Sequence, residues 1–220
     1  GTTAKSLHNS KNGKLYAAAA RDANRARSLS PEVAYDSYEK LIQDPNVDAV
    51  YISLNNDAHL PWILKSLDAG KHVLCEKPMV MNAGDTVTAY AHAQEKGLHL
   101  VEAVWSLWHP RAQRVKELVA SGAIGSPTNY LGTFTFDGVT PGNYRLDPAM
   151  GGGALYDVGI YPLHALVALL AEETEYSVTQ ADEEKLGEHV DMTMKAQFGF
   201  ENPQTQGSGA IVASFAMHSS

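Results

Sequence analysis

Short apolar runs that stop on charged or polar residues, alternating with stretches that carry a helical face, constrain this chain most. The clearest is Lys71-His72-Val73-Leu74-Cys75-Glu76-Lys77-Pro78, where the apolar residues end abruptly at a Glu-Lys pair and a proline. This pattern predicts a buried strand whose carboxyl end presents charge to a crevice, the place where open α/β sheets bind ligands. Proline closes the strand because it has no N–H for the ladder, and it biases Lys77 toward an extended backbone. The Lys77–Pro78 bond is also a candidate for the cis form, which would fix the turn and aim Lys77. The competing reading is an ordinary strand end carrying a surface Glu-Lys pair.

The same alternation extends along the first half of the chain. Leu15 to Ala20 reads as a short buried strand, although alanine is a poor strand former. Asp36 to Gln43 suits a short helix, and Asp44-Pro45-Asn46 a turn. Asp48 to Leu54 is a strand that runs into the polar loop Asn55-Asn56-Asp57. Leu60, Ile63, Leu64 and Leu67 mark a helical face, with Gly70 at the cap position. Asn82 to Lys96 is a second helix closed by Gly97, and Leu98 to Val104 a further strand. Strand and helix in this order imply a parallel sheet with right-handed crossovers, an α/β fold.

Pro110 to Ala120 predicts a helix with Val115, Leu118 and Val119 inward. After Gly125 the texture changes. Thr128 to Phe136, Val190 to Phe200 and Ala210 to Met217 alternate like half-buried antiparallel strands, with 201–209 as a hairpin loop. A second domain therefore begins between residues 105 and 125.

With 17 basic against 25 acidic residues, the net charge of -8 argues against a nucleic-acid or anionic-membrane surface. The lone cysteine, Cys75, lies inside the apolar strand, so no disulfide framework is expected. A reducing, cytoplasmic setting fits, and no signal-peptide pattern is expected. The longest apolar stretch, Ala154 to Ala171, carries Asp157, Pro162 and His164 and makes a poor membrane span. A chain that opens on Gly1 without methionine reads as processed or incomplete.

The second informative stretch runs from Asp147 through Gly151-Gly152-Gly153 to Asp157 and Tyr161. The glycines let the backbone approach a ligand or another element closely. Asp157 and Tyr161 are four apart and share a helical face, provided the helix starts before Ile160 and accommodates Pro162 as a kink. A phenol in water keeps its proton to about pH 10, and a nearby ammonium favours its ionised form. Lys77 is the candidate ammonium and Tyr161 the candidate proton donor, with Asp157 orienting a substrate hydroxyl or the lysine. The alternative is a helix N-terminus with Asp157 as cap and Tyr161 in the core. No metal-ligand cluster is expected.

These residues resemble the Gfo/Idh/MocA oxidoreductases. Asp68 to Pro78 is similar to that family's signature, and Gly151 to Tyr161 to its second motif. Tyrosine at 161, in place of histidine, resembles the branch of dihydrodiol and sugar dehydrogenases. The resemblance implies a Rossmann domain over 1–104, a substrate domain over 105–220 with a largely antiparallel sheet, and a homodimer formed through that sheet. It implies Lys77 and Tyr161 as the catalytic pair, with Leu54, Asn55, Asn56, His59, Glu76 and Lys77 along a nicotinamide cofactor. For His59, a plain helix-start role stands beside cofactor contact. Arg21 follows the strand where NAD-specific enzymes place an acidic residue, so it suits a 2′-phosphate and NADP rather than NAD, although Asp22 stands beside it. Arg25 is a candidate helper.

Several features depart from the family. A first strand and its glycine-rich phosphate loop are not recognisable, and the link from Ser28 to Pro31 is short. Leu107 stands where relatives often carry arginine, and the chain stops at Ser220 while relatives continue with further strands. The leading expectation is an NADP-dependent dehydrogenase for a sugar or cyclic diol. The alternatives are a non-catalytic nucleotide-binding regulator and an inactive, truncated relative of the same fold.

Overall fold

A computed structural model describes residues 2–186 and 190–216. The chain divides into two compact units, one built from Gly1–Ile52, Leu60–Cys75 and Gly84–Val101, the other from Ser53–His59, Glu76–Ala83 and Glu102–Ser220.

The first unit holds short parallel strands joined by helices. After α1 (Thr2–His8), strands β1 (Ala17–Ala19) and β2 (Val33–Tyr35) pair in parallel around α2 (Ala23–Arg27). β1 is shorter than its apolar run, and β2 has too few residues to show a period in the sequence. α3 (Tyr38–Gln43) starts on Ser37, whose side chain accepts from the Lys40 N–H. β3 (Ala49–Ile52) pairs in parallel with β4 (His72–Cys75), and β5 (Leu100–Glu102) lies on the far side of β4. The connections are α4 (Asn56–Asp68) and α5 (Ala83–Lys96), which end at the left-handed glycines Gly70 (φ 77°) and Gly97 (φ 66°). Lys71 is buried, and its ammonium donates to the carbonyls of Asp44 and Val47, both at 2.7 Å. A buried cation is tolerable here because backbone oxygens replace its water. The parallel α/β expectation therefore holds, with the strands divided between a two-stranded and a three-stranded sheet.

The second unit is organised on a four-stranded sheet in the order β6-β9-β8-β7, formed by β6 (Asn129–Thr135), β7 (Glu175–Leu186), β8 (Val190–Asn202) and β9 (Thr205–Ser214). β7–β8 and β8–β9 are antiparallel, as expected, but β6 runs parallel to β9. Alternating burial marks a half-buried strand and says nothing about its direction. Here the chain leaves β6, passes through the helix Ile160–Leu169 (α7) and two more strands, and returns alongside it. The α6 helix spans Pro110–Ala120, and Val115 is 39% exposed on it rather than turned inward.

Two strand boundaries also differ from expectation. The turn between β8 and β9 is only Pro203-Gln204, because the Asn202 side chain accepts from both the Gln204 and Thr205 N–H groups at 2.9 Å. The glycines that look loop-like, Gly207 and Gly209, lie within β9 under the rings of Phe200 and Phe198. Only a residue without a side chain leaves room for those rings. β7 was not expected at all. All of its residues are exposed and mostly polar, so it carries no apolar alternation; its ladder to β8 and an edge rich in charge define it. The expected strand end at Met217 lies outside the described residues.

The core of this unit forms where α7 covers the sheet. Leu166 packs with Phe198, Phe200 and Ile211, while Ala154 and Val158 pack with Ala213 and Phe215. No helix among the described residues is long and apolar enough to cross a membrane. Gly209→Ala would place a methyl group 2.6 Å from the Phe198 ring. It is expected to destabilise the unit by about 1 to 3 kcal/mol, the usual cost of overpacking. A urea-unfolding midpoint unchanged from the parent protein would refute that account.

Candidate active site

The segment that leaves β4 and the helix that carries Tyr161 both belong to the second unit. The Lys77–Pro78 bond is cis. The helix begins at Ala154, passes through a wide π turn over Leu155–Gly159 and continues as α7. Asp157 and Tyr161 are thus on one continuous helix, with Pro162 just inside it. Such a helix has backbone acceptors that its own N–H groups do not all reach.

Lys77 meets one of them. Its ammonium donates to the Asp157 carbonyl at 2.6 Å and to Asp157 Oδ1 at 2.9 Å. Arg145 grips the same carboxylate, with Nε to Oδ2 at 2.6 Å and Nη2 to Oδ1 at 3.3 Å. The Asp157 side chain is only 8% exposed. Burial opposes its charge, but the bonds and charges of Arg145 and Lys77 outweigh burial and hold the carboxyl below the usual carboxylate range. The Lys77 ammonium also lies over the Tyr161 ring, 5.1 Å from its centre. The Tyr161 oxygen accepts the Trp105 indole N–H at 3.0 Å, and Phe134 stacks on the ring from 5.1 Å.

The glycine stretch is shaped by its partners. Asp191 on β8 accepts the Leu155 N–H at 2.7 Å and so caps the helix from outside. A side chain at Gly153 (φ 117°) would run into that carboxylate. Burial pushes the Asp191 carboxyl up. Asn56 is buried and donates to the Gly151 carbonyl at 2.8 Å, while Asn55 approaches the Met150 sulfur at 3.4 Å. Tyr156 donates to the Met81 carbonyl at 2.6 Å. A concavity of about 310 Å³ opens along the adjoining loop, lined by Asn143, Tyr144 and Met150 among others.

The remaining expected residues fall as follows. Glu76 is half-buried and its carboxylate accepts the Lys77 N–H at 3.2 Å. His59 is fully buried; its Nδ1 lies 2.9 Å from the Pro78 carbonyl and its Nε2 3.0 Å from that of Leu54. Arg21 is exposed in the first unit, two residues past the end of β1. Its neighbour Asp22 caps α2 by accepting the Asn24 N–H at 2.9 Å, so that carboxylate is committed to the helix.

Four residues of the site were not foreseen from the sequence: Arg145, Trp105, Glu102 and His164. Glu102 accepts the Met79 N–H at 2.8 Å and meets His164 Nε2 at 3.0 Å. Burial opposes its charge, yet the His164 and Met79 bonds, aided by the charge of nearby imidazoles, hold its carboxyl below the usual range. A signal for Glu102 existed, since it is a lone charge inside an otherwise apolar stretch from Leu100 to Trp105. Nothing comparable marks Arg145, whose partner lies twelve residues further along the chain.

The chain belongs to the Gfo/Idh/MocA oxidoreductase family. Residues 2–104 match the model described as an oxidoreductase family with an NAD-binding Rossmann fold, and residues 112–220 match the GFO/IDH/MocA C-terminal domain. It is similar to D-xylose 1-dehydrogenase (NADP(+)) 2 of Haloferax volcanii, 35% identical over 86% of this chain and 63% of that protein. It is also similar to trans-1,2-dihydrobenzene-1,2-diol dehydrogenase of Mus musculus, 39% identical over 73% of this chain and 49% of that protein. Among solved structures, a tyrosine-to-phenylalanine variant of a 3-ketoreductase from Actinomadura kijaniata, in complex with TDP-benzene and NADP, aligns with a TM-score of 0.86 at 28% identity. That alignment covers 97% of this chain and 66% of the ketoreductase. The chain thus spans between about half and two thirds of the length of these relatives.

Because the Asp157 carboxyl is held low in the folded protein, its charge stabilises the fold above the ordinary carboxylate value of about 3.9. That contribution is lost as pH falls through the lower folded-state value. Asp157→Asn should lower stability near neutral pH and flatten the acid limb below about pH 4. Urea midpoints across that range test this; parallel curves for variant and parent would show that Asp157 carries no such linkage.

Proposed function

We propose that this chain belongs to an NADP-dependent dehydrogenase that acts on a sugar or cyclic diol. The observation that carries the proposal is the shared cluster of Lys77, Asp157 and Tyr161, with the ammonium 5.1 Å from the centre of the Tyr161 ring. Kinship to a D-xylose dehydrogenase, a dihydrodiol dehydrogenase and a 3-ketoreductase seen with NADP supports both the cofactor and the substrate class.

The residues present suit two parts of such a cofactor, its 2′-phosphate and its nicotinamide. Arg21 is exposed two residues past β1 while Asp22 is turned to its own helix, which leaves a cation suited to a 2′-phosphate. Leu54, Asn55, Asn56, His59, Glu76 and Lys77 are the residues assigned to the nicotinamide side. His59 and Asn56 would act from within the wall, because their polar atoms already serve backbone carbonyls. When bound, the nicotinamide supplies or accepts the hydride. The chain's own residues do the rest. Tyr161 gives or takes the proton of the reacting hydroxyl at its Oη. Lys77, aimed by Asp157, can meet the reacting oxygen. Asp157 orients Lys77, and Trp105 and Phe134 fix the tyrosine ring. A homodimer formed through the four-stranded sheet is part of the same reading; β6 exposes Leu131 to 72% on that sheet.

Tyr161→Phe is expected to abolish NADPH-dependent reduction or NADP-dependent oxidation while leaving NADPH affinity within about twofold, since one oxygen is lost from the reacting end only. Retained turnover would remove Tyr161 from the proton-transfer role. Arg21→Ala is expected to weaken NADPH at least about tenfold and NADH hardly at all, as one charge-assisted contact to phosphate is lost. Fluorescence titration with both cofactors measures this, and an equal loss would mean that Arg21 does not read the phosphate.

A further inference from the structure

Glu102 ends β5, and its two oxygens face two different segments. Oε1 accepts the Met79 N–H at 2.8 Å, and Oε2 meets His164 Nε2 at 3.0 Å. Met79 stands two residues past Lys77. His164 stands one turn past Tyr161, on the same side of α7. One carboxylate therefore joins the turn that carries Lys77 to the helix that carries Tyr161. His59 approaches the Pro78 carbonyl at 2.9 Å, so the one peptide group between Pro78 and Met79 is held at its carbonyl by α4 and at its N–H by Glu102.

We propose that Glu102 and His164 are positioning residues that set the approach of the Lys77 ammonium to the Tyr161 ring. Neither is assigned to the reacting atoms, and the inference rests on reading Lys77 and Tyr161 as the working pair. The side chains of His164 and Glu102 are 31% and 17% exposed, sheltered enough for a charge-assisted bond to hold its geometry. The groups that face the carboxylate are the Met79 N–H from the lysine turn, His164 from α7, and His59 from α4. Within such a clamp a shift of about 1 Å matters, because a misplaced reacting group costs on the order of a hundredfold in rate.

Amide hydrogen exchange and the indole N–H resonance of Trp105 read the clamp without any substrate. The Met79 amide reports on the lysine turn, and the Trp105 indole, bonded to Tyr161, reports on the helix. In Glu102→Ala and in His164→Ala, the Met79 amide should exchange at least about tenfold faster and the Trp105 resonance should move. The double variant should go little beyond the larger single effect, as coupled partners do. Glu102→Gln keeps the acceptor for the Met79 N–H but replaces the acceptor of the His164 Nε2–H by an amide donor, and should fall between the parent protein and Glu102→Ala. The crossed effect decides the matter, because His164 reaches the Met79 amide only through Glu102. A parental Met79 rate in His164→Ala, or additive effects, would overturn the proposal. With turnover in hand, the same variants should lower kcat about tenfold at unchanged KM for NADPH; loss of NADPH binding as well would reduce the pair to general scaffolding and overturn it too. Absence of turnover in the parent protein would sink the proposed function instead, and the exchange result would still decide the clamp.

Discussion

A buried carboxylate shared by two cations is the interaction on which the rest of the site depends. Asp157 is nearly out of contact with water, and a lone carboxylate there would cost several kcal/mol or take up a proton. Arg145 meets it through the fork of Nε and Nη2, and Lys77 meets it with a single ammonium. Because Arg145 supports the charge, Lys77 serves the carboxylate without being wholly consumed by it. The ammonium has three hydrogens, and Asp157 takes two of them through its carbonyl and Oδ1.

The surrounding backbone can be understood as support for that carboxylate. The helix that bears it is capped from β8 by Asp191 and covered by the sheet core of Phe198, Phe200 and Ile211. The glycine stretch before it is held by Asn56 at Gly151, and its Gly153 N–H returns to the carbonyl of Arg145 at 2.9 Å. Arg145 is thereby fixed at both ends, by its backbone and by its guanidinium. This loop closes on itself through the same residue that stabilises the charge.

The sequence was most informative where an element has its own period or punctuation. The helix ends at Gly70 and Gly97, the strand ending at Cys75, and the pairing of Lys77 with the Asp157–Tyr161 segment were all legible, because glycine, proline and apolar runs mark them locally. β7 was invisible because an exposed polar edge strand has no apolar alternation; only its neighbour β8 defines it. Gly207 and Gly209 misled, since a glycine under a ring and a glycine in a loop look alike in one dimension. The direction of β6 depends on where the chain returns, which no residue of β6 records. Arg145 and His164 were missed for a related reason: each gains its meaning from one partner brought close by the fold.

The bond from Trp105 to Tyr161 bears on direction rather than strength. A phenol oxygen that accepts from a fixed indole has its own hydrogen turned to the opposite arc, since an incoming and an outgoing hydrogen cannot share one lone-pair direction. The hydroxyl rotor, ordinarily able to swing between two positions in the ring plane, is left with a single outlet. Any group that exchanges a proton with Tyr161 must therefore approach from the side away from the tryptophan. An exposed aromatic residue, 62% open to solvent, thus works as a compass for the proton and not only as a wall.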